Sequence, residues 1–312
     1  MIIFNVICSL KIIIIALAIL VSVAFFTFCE RSLLSLIQVR IGPAVLGWNG
    51  IIQSFSDAVK LFTKEQVLHR YRNILIFYIA PVFILFISLI LWIATPIEFG
   101  VSSIKMSSLF VFCCIGVGSY APILAGWASN SKYSYLGIIR SVAQIISYEV
   151  SLIIIFIRLI FLLGSYSIEN FRVFQKEWWF IGISRLLCFI WFASCLAESN
   201  RAPFDFREGE SELVSGFNTE YRGGAFALFF LSEYARIMFL SILMAIIFIG
   251  SKIIFMIFYL KILFIMYLFI LTRGIVPRIR YDHLIRLAWK SFLPISINFI
   301  LFFVIVKLII IF

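Results

Sequence analysis

Long apolar runs alternate with shorter polar stretches along the whole chain. Eight of these runs approach the length of about 20 mostly apolar residues that a helix needs to cross a membrane. They cover residues 9–30, 74–95, 106–128, 141–163, 179–198, 224–249, 252–272 and 293–312. The first contains eighteen residues without a charge, Ile12 to Cys29, and no basic start or small-residue cleavage site flanks it. It is therefore predicted to be a true span and not a signal peptide.

One further helix is predicted outside the apolar runs, between Trp48 and Glu65. Apolar side chains recur there at helical spacing and polar side chains take the other side; the apolar set is Ile51, Ile52, Phe55, Val59 and Phe62. This pattern predicts an amphipathic helix at the membrane surface, whose polar side faces headgroups, a cavity or a soluble partner. The predicted fold class is an all-α, polytopic transmembrane helical bundle of about eight spans plus this helix, in a single domain covering residues 1–312.

Composition agrees with a lipid environment. The 312 residues are 63% hydrophobic and only 13% charged, about half the charged fraction of soluble domains. The six cysteines form no Cys-x-x-Cys pair and mostly lie inside apolar runs. They are therefore predicted to be small buried side chains and not metal ligands or disulfides.

The basic residues are distributed unevenly between the two predicted sides of the bundle. Sixteen Lys and Arg fall in four stretches on one side, and four fall in the three loops on the other. The four basic stretches are residues 31–73, 129–140, 199–222 and 273–290. The positive-inside rule places them in the mitochondrial matrix or bacterial cytoplasm, with both termini on the opposite side. The net charge of +11 then follows from topology, and nucleic-acid binding is not expected.

The acids are concentrated toward the same inner face. Seven of the fifteen lie between residues 198 and 233: Glu198, Asp205, Glu208, Glu210, Glu212, Glu220 and Glu233. Glu30 ends the first predicted span, and Glu149 lies inside the fourth. An ionisable group within a span normally faces the bundle interior or a water-filled path, and it marks a functional site by default.

These acids indicate proton transfer and not hydrolysis or group transfer. If the stretch is helical, Glu208 and Glu212 share a face, and their repulsion favours protonation of one of them. Arg201 is the nearest cation along the chain to Glu198 and Asp205. No Ser-His-Asp set, P-loop or glycine-rich dinucleotide motif is present.

The polar stretches resemble those of a known family. Glu198-Ser-Asn-Arg-Ala-Pro-Phe-Asp205, continued by the stretch from Glu208 to Tyr221, closely resembles the signature loop of subunit 1 of respiratory complex I, the NADH:quinone oxidoreductase. Four further blocks agree in order and spacing: Glu30-Arg31 with Gln38 to Pro43, Phe55 to Glu65, Gly126 to Tyr133 leading to Ser147 to Val150, and Arg273-Gly with Pro277 to Asp282.

The resemblance implies a core membrane subunit that walls much of a narrow ubiquinone tunnel and begins an acidic path for proton translocation. The implied quinone-tunnel residues are Glu30, Arg31, Arg40, Asp57, Phe217 and Arg280. The implied proton-coupling residues are Glu149, Glu198, Arg201, Asp205, Glu208, Glu210, Glu212 and Glu233. Ubiquinone is then a substrate, and this chain holds no flavin, iron–sulfur cluster or metal of its own.

The implied partners are the hydrophilic quinone-site subunits on the matrix face, the small and antiporter-like membrane subunits, and membrane lipid. The implied location is the mitochondrial inner membrane with both termini toward the intermembrane space, or the plasma membrane of a bacterium. Arg158, Arg185 and Arg236 match no position of the family, and Arg236 can pair with Glu233 one helical turn away.

Three other functions compete with this one. A membrane subunit of an energy-converting hydrogenase is homologous, but its partner reduces protons instead of quinone. A proton-coupled secondary transporter predicts a repeat between the two halves, which the sequence lacks. A purely structural anchor does not need carboxylates inside three spans.

The charge asymmetry predicts the orientation of the chain. Single cysteines introduced into residues 199–222 should react with an impermeant thiol reagent only from the matrix or cytoplasmic side, because basic loops are retained there. Labelling of that stretch from the side of the termini would overturn the topology.

Overall fold

Helices make up nearly all of the computed structural model, which describes residues 2–66, 72–96, 104–175, 179–206, 216–250 and 255–311. The α-helices are α1 (Ile2–Ile37), α2 (Gln53–Thr63), α3 (Ile74–Leu91), α4 (Ser107–Gly118), α5 (Tyr120–Ser129), α6 (Lys132–Leu163), α7 (Ile168–Phe174), α8 (Phe180–Ile183), α9 (Arg185–Glu198), α10 (Gly223–Met244), α11 (Phe255–Ile275), α12 (Tyr281–Leu287) and α13 (Leu293–Ile311). Short 3₁₀ or π turns occupy Trp48–Gly50, Trp92–Ala94, Gly216–Glu220, Ala245–Ile249 and Ala288–Phe292. These ranges contain no strand, and the all-α fold class is confirmed.

Within the described ranges, seven helical stretches are long and apolar enough to cross a membrane. They are Leu10–Ile37, Ile74–Ala94, Ser107–Ser129, Lys132–Leu163, Gly223–Ile249, Met256–Ile275 and Tyr281–Ile305. Each overlaps one of the predicted spans. The chain is therefore a polytopic membrane protein, as the apolar pattern predicts.

The remaining predicted span, residues 179–198, is not one long helix. It is divided at Ser184 into the four-residue α8 and the 14-residue α9. Fourteen helical residues rise only about 21 Å, which is less than the hydrocarbon thickness of a bilayer. Among the described residues, seven of the eight predicted spans are therefore recognisable by helix length alone. An apolar run shows how much chain is buried but not where its helix breaks.

The chain leaves α9 as a non-helical segment, residues 199–206, that stays largely buried. The side-chain amide of Gln144 on α6 donates hydrogen bonds to the carbonyl oxygens of Ala197 and Phe204, each 2.8 Å long. Non-helical backbone at membrane depth is tolerated only where protein or water satisfies its polar groups. Gln144 therefore helps to replace the hydrogen bonds that α9 loses at its end.

Helices also extend into the stretches that were predicted to be inner-face loops. Much of the stretch 129–140 belongs to α6, which begins at Lys132, and the last span begins at Tyr281 and not at residue 293. The charged residues in these stretches, such as Arg286 and Lys290, do not end a helix. Long basic side chains near a helix end can extend their charges toward the interface while the backbone stays helical.

The helix α10 lies at the centre of the bundle. Its membrane-spanning stretch is 94% buried, whereas the spans of α1 and α11 are 17% and 22% buried. It packs against α1, α2, α3, α9 and α11. Charged side chains on α10 are consequently enclosed by protein, while the outer helices present apolar surface to lipid or to other subunits.

The amphipathic helix is confirmed as α2, residues Gln53–Thr63. Its apolar stripe, including Phe55, Val59 and Phe62, is exposed, while Ser54 on the other side is buried against the bundle. Gln53, Ser54 and Asp57 are therefore turned toward the bundle, whereas Lys60 and Lys64 are exposed together with the apolar stripe.

Candidate functional site

The helix α1 carries a buried acid two turns before its end. Glu30 is 5% exposed and forms ion pairs with Arg273 on α11 and with Arg201 in the segment after α9. The distance from Arg201 Nη1 to Glu30 Oε1 is 3.6 Å. One carboxylate thus joins three separate parts of the chain, and two guanidinium groups supply its counter-charge.

Tyr234 of α10 completes this group, which we call the Glu30 cluster (Glu30, Arg201, Tyr234 and Arg273). The guanidinium carbon of Arg201 lies 4.3 Å from the centre of the Tyr234 ring, a distance at which a cation is attracted by the ring. The hydroxyl group of Tyr234 hydrogen-bonds with Glu30. The ring and the carboxylate together fix the position of Arg201.

A second buried acid ends α9. Glu198 is fully buried, and its Oε1 lies 3.3 Å from Nη1 of Arg236 on α10, which is itself 4% exposed. From their spacing of one helical turn, Glu233 was predicted to be able to pair with Arg236. The observed ion pair is instead with Glu198, 38 residues away along the chain, a contact that depends on how α9 and α10 pack.

Glu149 of α6 is the third member of this group, which we call the Glu198 cluster (Glu149, Glu198 and Arg236). The charge of Arg236 acts on both carboxylates. Glu149 Oε1 lies 2.9 Å from the position that a Cβ atom on Gly116 would occupy, so the absence of a side chain on α4 leaves room for it. Glu149 also lines a cavity of about 910 Å³ between α4, α5 and α6.

Two short pieces of backbone connect the clusters. The end of α9 supplies Glu198 to one cluster and, three residues later, Arg201 to the other. The middle of α10 supplies Tyr234 to one and Arg236 to the other. A displacement of either piece therefore changes the ion pairs in both clusters.

Two of the ion pairs outside the clusters join separate parts of the chain. Arg31 of α1 binds Asp57 of α2, and Gln53 Nε2 donates a 3.2 Å hydrogen bond to Asp57 Oδ1. Asp205 Oδ2 lies 3.2 Å from Arg278 Nη2. The first pair attaches the amphipathic helix to α1, and the second attaches the segment after α9 to the chain between α11 and α12.

Comparison with known proteins identifies the family. A family model described as NADH dehydrogenase matches residues 10–304. NADH-ubiquinone oxidoreductase chain 1 of Anopheles gambiae is 52% identical over 292 residues, 94% of this chain and 93% of the relative. The chain belongs to the family of NADH dehydrogenase subunit 1.

More distant relatives match over a similar extent. NADH-ubiquinone oxidoreductase chain 1 of Locusta migratoria is 47% identical over 295 residues, 95% of this chain and 94% of the relative. That of Sminthopsis macroura is 42% identical over 303 residues, 95% of each chain. The matches cover the spans as well as the polar stretches, and the resemblance is confirmed.

Three of the predicted tunnel residues lie close together in the structure. Glu30 and Arg31 are neighbours on α1, and Arg31 binds Asp57. Glu30 is directed into the bundle, whereas the Arg31 side chain is 55% exposed. The end of α1 thus presents one buried carboxylate and one more accessible ion pair.

The other predicted tunnel residues have different surroundings. Phe217 is fully buried, and the centre of its ring lies 5.2 Å from that of Phe229 on α10. Arg40 is exposed just beyond α1. The side chain of Arg280 is 78% exposed and pairs with Asp282 at 3.2 Å. The structure does not test their assignment to a tunnel, which stays a prediction.

The predicted proton-coupling residues fall into three groups. Glu149, Glu198 and Arg201 belong to the two clusters, and Asp205 binds Arg278. Glu233 is 8% exposed on α10. The remaining three, Glu208, Glu210 and Glu212, lie outside the described residues.

Sequence reasoning did not select three residues that the structure places at the site. Arg273 was counted only as a loop charge, although it lies in a block that resembles the family. Gln144 is a polar amide within an apolar run, and this contrast is visible in the sequence alone. Arg236 was recognised only as an unusual position, since its partner comes from another helix.

The arrangement suits the movement of protons and charge between carboxylates. The carboxylates of Glu30 and Glu198 are both buried, and each is paired with arginine. Within the described ranges, no group of three or more His, Cys, Asp and Glu side chains is placed to hold a metal ion.

The Glu30 cluster leads to a stability prediction. Replacing Glu30 with Gln removes the carboxylate that Arg201 and Arg273 share, and breaking a buried ion pair costs about 3–5 kcal/mol. We expect less assembled complex on native gels and earlier thermal inactivation. The control is Arg280→Gln, which removes an exposed ion pair worth about 0–1 kcal/mol. Equal stability of the two variants would contradict a structural role for the cluster.

Proposed function

We propose that this chain is the membrane core subunit of NADH:ubiquinone oxidoreductase in which reduction of ubiquinone is coupled to proton translocation. The observation that carries the proposal is the connection of the Glu30 and Glu198 clusters through the end of α9 and the middle of α10. The names of the relatives, NADH-ubiquinone oxidoreductase chain 1, supply the substrate and favour this enzyme over a hydrogenase.

In this proposal the ubiquinone path begins near α2 and passes the end of α1. A quinone head group accepts hydrogen bonds at its two carbonyl oxygens, and its isoprenoid tail needs apolar walls. Basic side chains near an apolar helix provide both kinds of contact. The proposed tunnel residues are Glu30, Arg31, Arg40, Asp57, Phe217 and Arg280.

Coupling follows from the charge change at the quinone. Reduction to quinol takes up two electrons, delivered by a partner subunit, and two protons. The quinol is neutral, so each proton that it takes from a nearby side chain leaves one more negative charge near Glu30 until that side chain is protonated again. Charges in a low-dielectric interior interact strongly. Because Arg201 is bound to Glu30 and lies three residues from Glu198, the change is passed to the second cluster and alters where its proton resides.

The proton route continues from there through the other acids of the coupling group. The proposed residues are Glu149, Glu198, Arg201, Asp205, Glu208, Glu210, Glu212 and Glu233. Carboxylates held in a protein interior with changing counter-charges are suited to take up and release protons near neutral pH.

The proposal assigns NADH, flavin and iron–sulfur clusters to other subunits, and this chain binds ubiquinone as a substrate only. Its partners are hydrophilic subunits that dock on the matrix face, small and antiporter-like membrane subunits, and lipid. It lies in the mitochondrial inner membrane with both termini on the intermembrane-space side. This topology requires α8, α9 and residues 199–206 to act together as an eighth crossing.

The tunnel assignment is tested at Asp57. Asp57→Ala removes the partner of Arg31 and Gln53, and we expect inhibitor-sensitive NADH:ubiquinone turnover to fall about tenfold, a loss of about 1.4 kcal/mol in transition-state stabilisation. NADH oxidation by an artificial acceptor at the flavin should be unchanged, because that reaction does not involve this chain. Equal loss of both activities in fully assembled complex would remove Asp57 from the tunnel.

The coupling assignment is tested at Glu149. Glu149→Gln keeps size and hydrogen bonding but removes the exchangeable charge, so the complex should assemble while proton pumping in vesicles falls about tenfold or more. The matched control is Glu169→Gln, which makes the same change at an exposed acid on α7 and should pump normally. Normal rate and stoichiometry in Glu149→Gln would mean that the proton route bypasses this residue.

A further inference from the structure

Arg236 is an unusual residue for its location. It lies thirteen residues into α10, about 20 Å from the first residue of the helix, and is only 4% exposed. An arginine remains protonated in proteins and cannot lose its charge to escape burial. A cation in this place must therefore be balanced by neighbouring groups.

The guanidinium group is held on one side only. Its Nη1 faces Glu198 Oε1 at 3.3 Å, whereas its Nη2 is buried without a hydrogen-bond partner among the described residues. Nη2 lies 2.7 Å from the position that a Cβ atom on Gly118 would occupy. The free side of the guanidinium is therefore directed against α4.

Glu149 approaches the same part of α4. Its Oε1 lies 2.9 Å from the position of a Cβ atom on Gly116. Residues two apart in a helix have Cα atoms about 5.5 Å apart but point to nearly opposite sides, so Glu149 and Nη2 of Arg236 approach α4 from different sides and interact through their charges. Both carboxylates interact electrostatically with Arg236 and with each other. Within the described part of the chain, one cation thus serves two acids.

Charge balance then sets the number of protons. With Arg236 charged, the cluster is neutral when one carboxylate is ionised and the other carries a proton. A second ionised carboxylate would leave a net negative charge beside the fully buried Glu198, which is costly. Two interacting acids of this kind bind and release protons as one unit.

We propose that Arg236 is a positioning residue for proton transfer, a counter-ion shared by Glu149 and Glu198 that makes the two acids hold one exchangeable proton between them. When the guanidinium binds Glu198, the proton resides on Glu149; when the guanidinium moves toward Glu149, the proton resides on Glu198. The inference rests on the proposed function, since it specifies how the Glu198 cluster carries protons.

The surrounding charged groups have other contacts. In the Glu30 cluster the two arginines are ion-paired with the one carboxylate, Asp57 is bound to Arg31, and Lys261 donates to the carbonyl oxygens of Ile249 and Gly250. Of the closer titratable groups, Glu233 is buried one turn before Arg236 and has an interaction of its own. Cys195, one turn before Glu198, is a thiol and is neutral near pH 7.

The test compares Arg236→Gln and Arg236→Lys in the assembled complex, with proton pumping and inhibitor-sensitive NADH:ubiquinone turnover measured across pH. Without the cation both acids retain their protons to higher pH, so the profile of Arg236→Gln should move about one to three pH units upward, the effect of one nearby opposite charge. Arg236→Lys keeps the charge and should restore the original profile. The matched control is Arg185→Gln, which removes an exposed arginine at the start of α9 and should leave the profile in place.

A second variant covers the case in which Arg236→Gln does not assemble. Gly118→Ala keeps the arginine but places a methyl group against Nη2, so the guanidinium must withdraw from α4, the helix that Glu149 also approaches. We expect an upward shift of the pH profile that is smaller than the loss of the whole charge would produce. A profile of Gly118→Ala that coincides with the unsubstituted complex overturns the proposal.

The outcomes separate this inference from the proposed function. If Arg236→Gln has the unsubstituted profile, or if Arg236→Lys shifts as far as Arg236→Gln does, Arg236 is only a structural partner of Glu198 and the inference is wrong. If the unsubstituted complex shows no inhibitor-sensitive NADH:ubiquinone activity coupled to pumping, the proposed function itself fails.

Discussion

A charge inside a membrane-embedded bundle is stable only beside an opposite charge, a hydrogen-bonding group or water. The ion pairs of Glu30 and Glu198 meet this constraint, and they do so with partners from distant parts of the chain. Satisfying Glu30 requires α1, α11 and the segment after α9 to converge. Satisfying Glu198 requires α9 to end against the middle of α10. The arrangement of the central helices depends on these contacts.

The break at the end of α9 follows from the same requirement. A continuous helix would carry residues 199–206 onward in helical geometry, and Arg201 would then lie one turn beyond Glu198 along the same axis. The chain instead unwinds, and Gln144 binds the carbonyl oxygens of Ala197 and Phe204 on either side of the turn. Arg201 is thereby free to reach Glu30. Because the helix ends at this point, the short segment that carries Arg201 connects Glu198 on α9 with Glu30 on α1.

The central helix α10 links packing to electrostatics. Its enclosure by five other helices keeps Arg236 away from lipid, and the small residues Gly116 and Gly118 on α4 leave space for the charged groups beside it. A cavity of about 910 Å³ between α4, α5 and α6 reaches Glu149, so this acid is less enclosed than Glu198.

The sequence by itself determined the all-α membrane fold, the positions of seven spans, the amphipathic helix α2 and the family, because apolar length, helical periodicity and polar blocks are local properties of the chain. It also indicated Glu30 and Glu198 as acids inside the bundle, since charges inside or at the ends of apolar runs are visible without a structure, whereas Glu149 is only partly buried. Only the tertiary structure decided that residues 179–198 form two short helices, that Arg236 binds Glu198 across 38 residues, and that Arg273 belongs to the Glu30 cluster. Ion-pair partners and helix breaks are set by contacts between distant segments, and no periodicity along one helix records which neighbour it will meet.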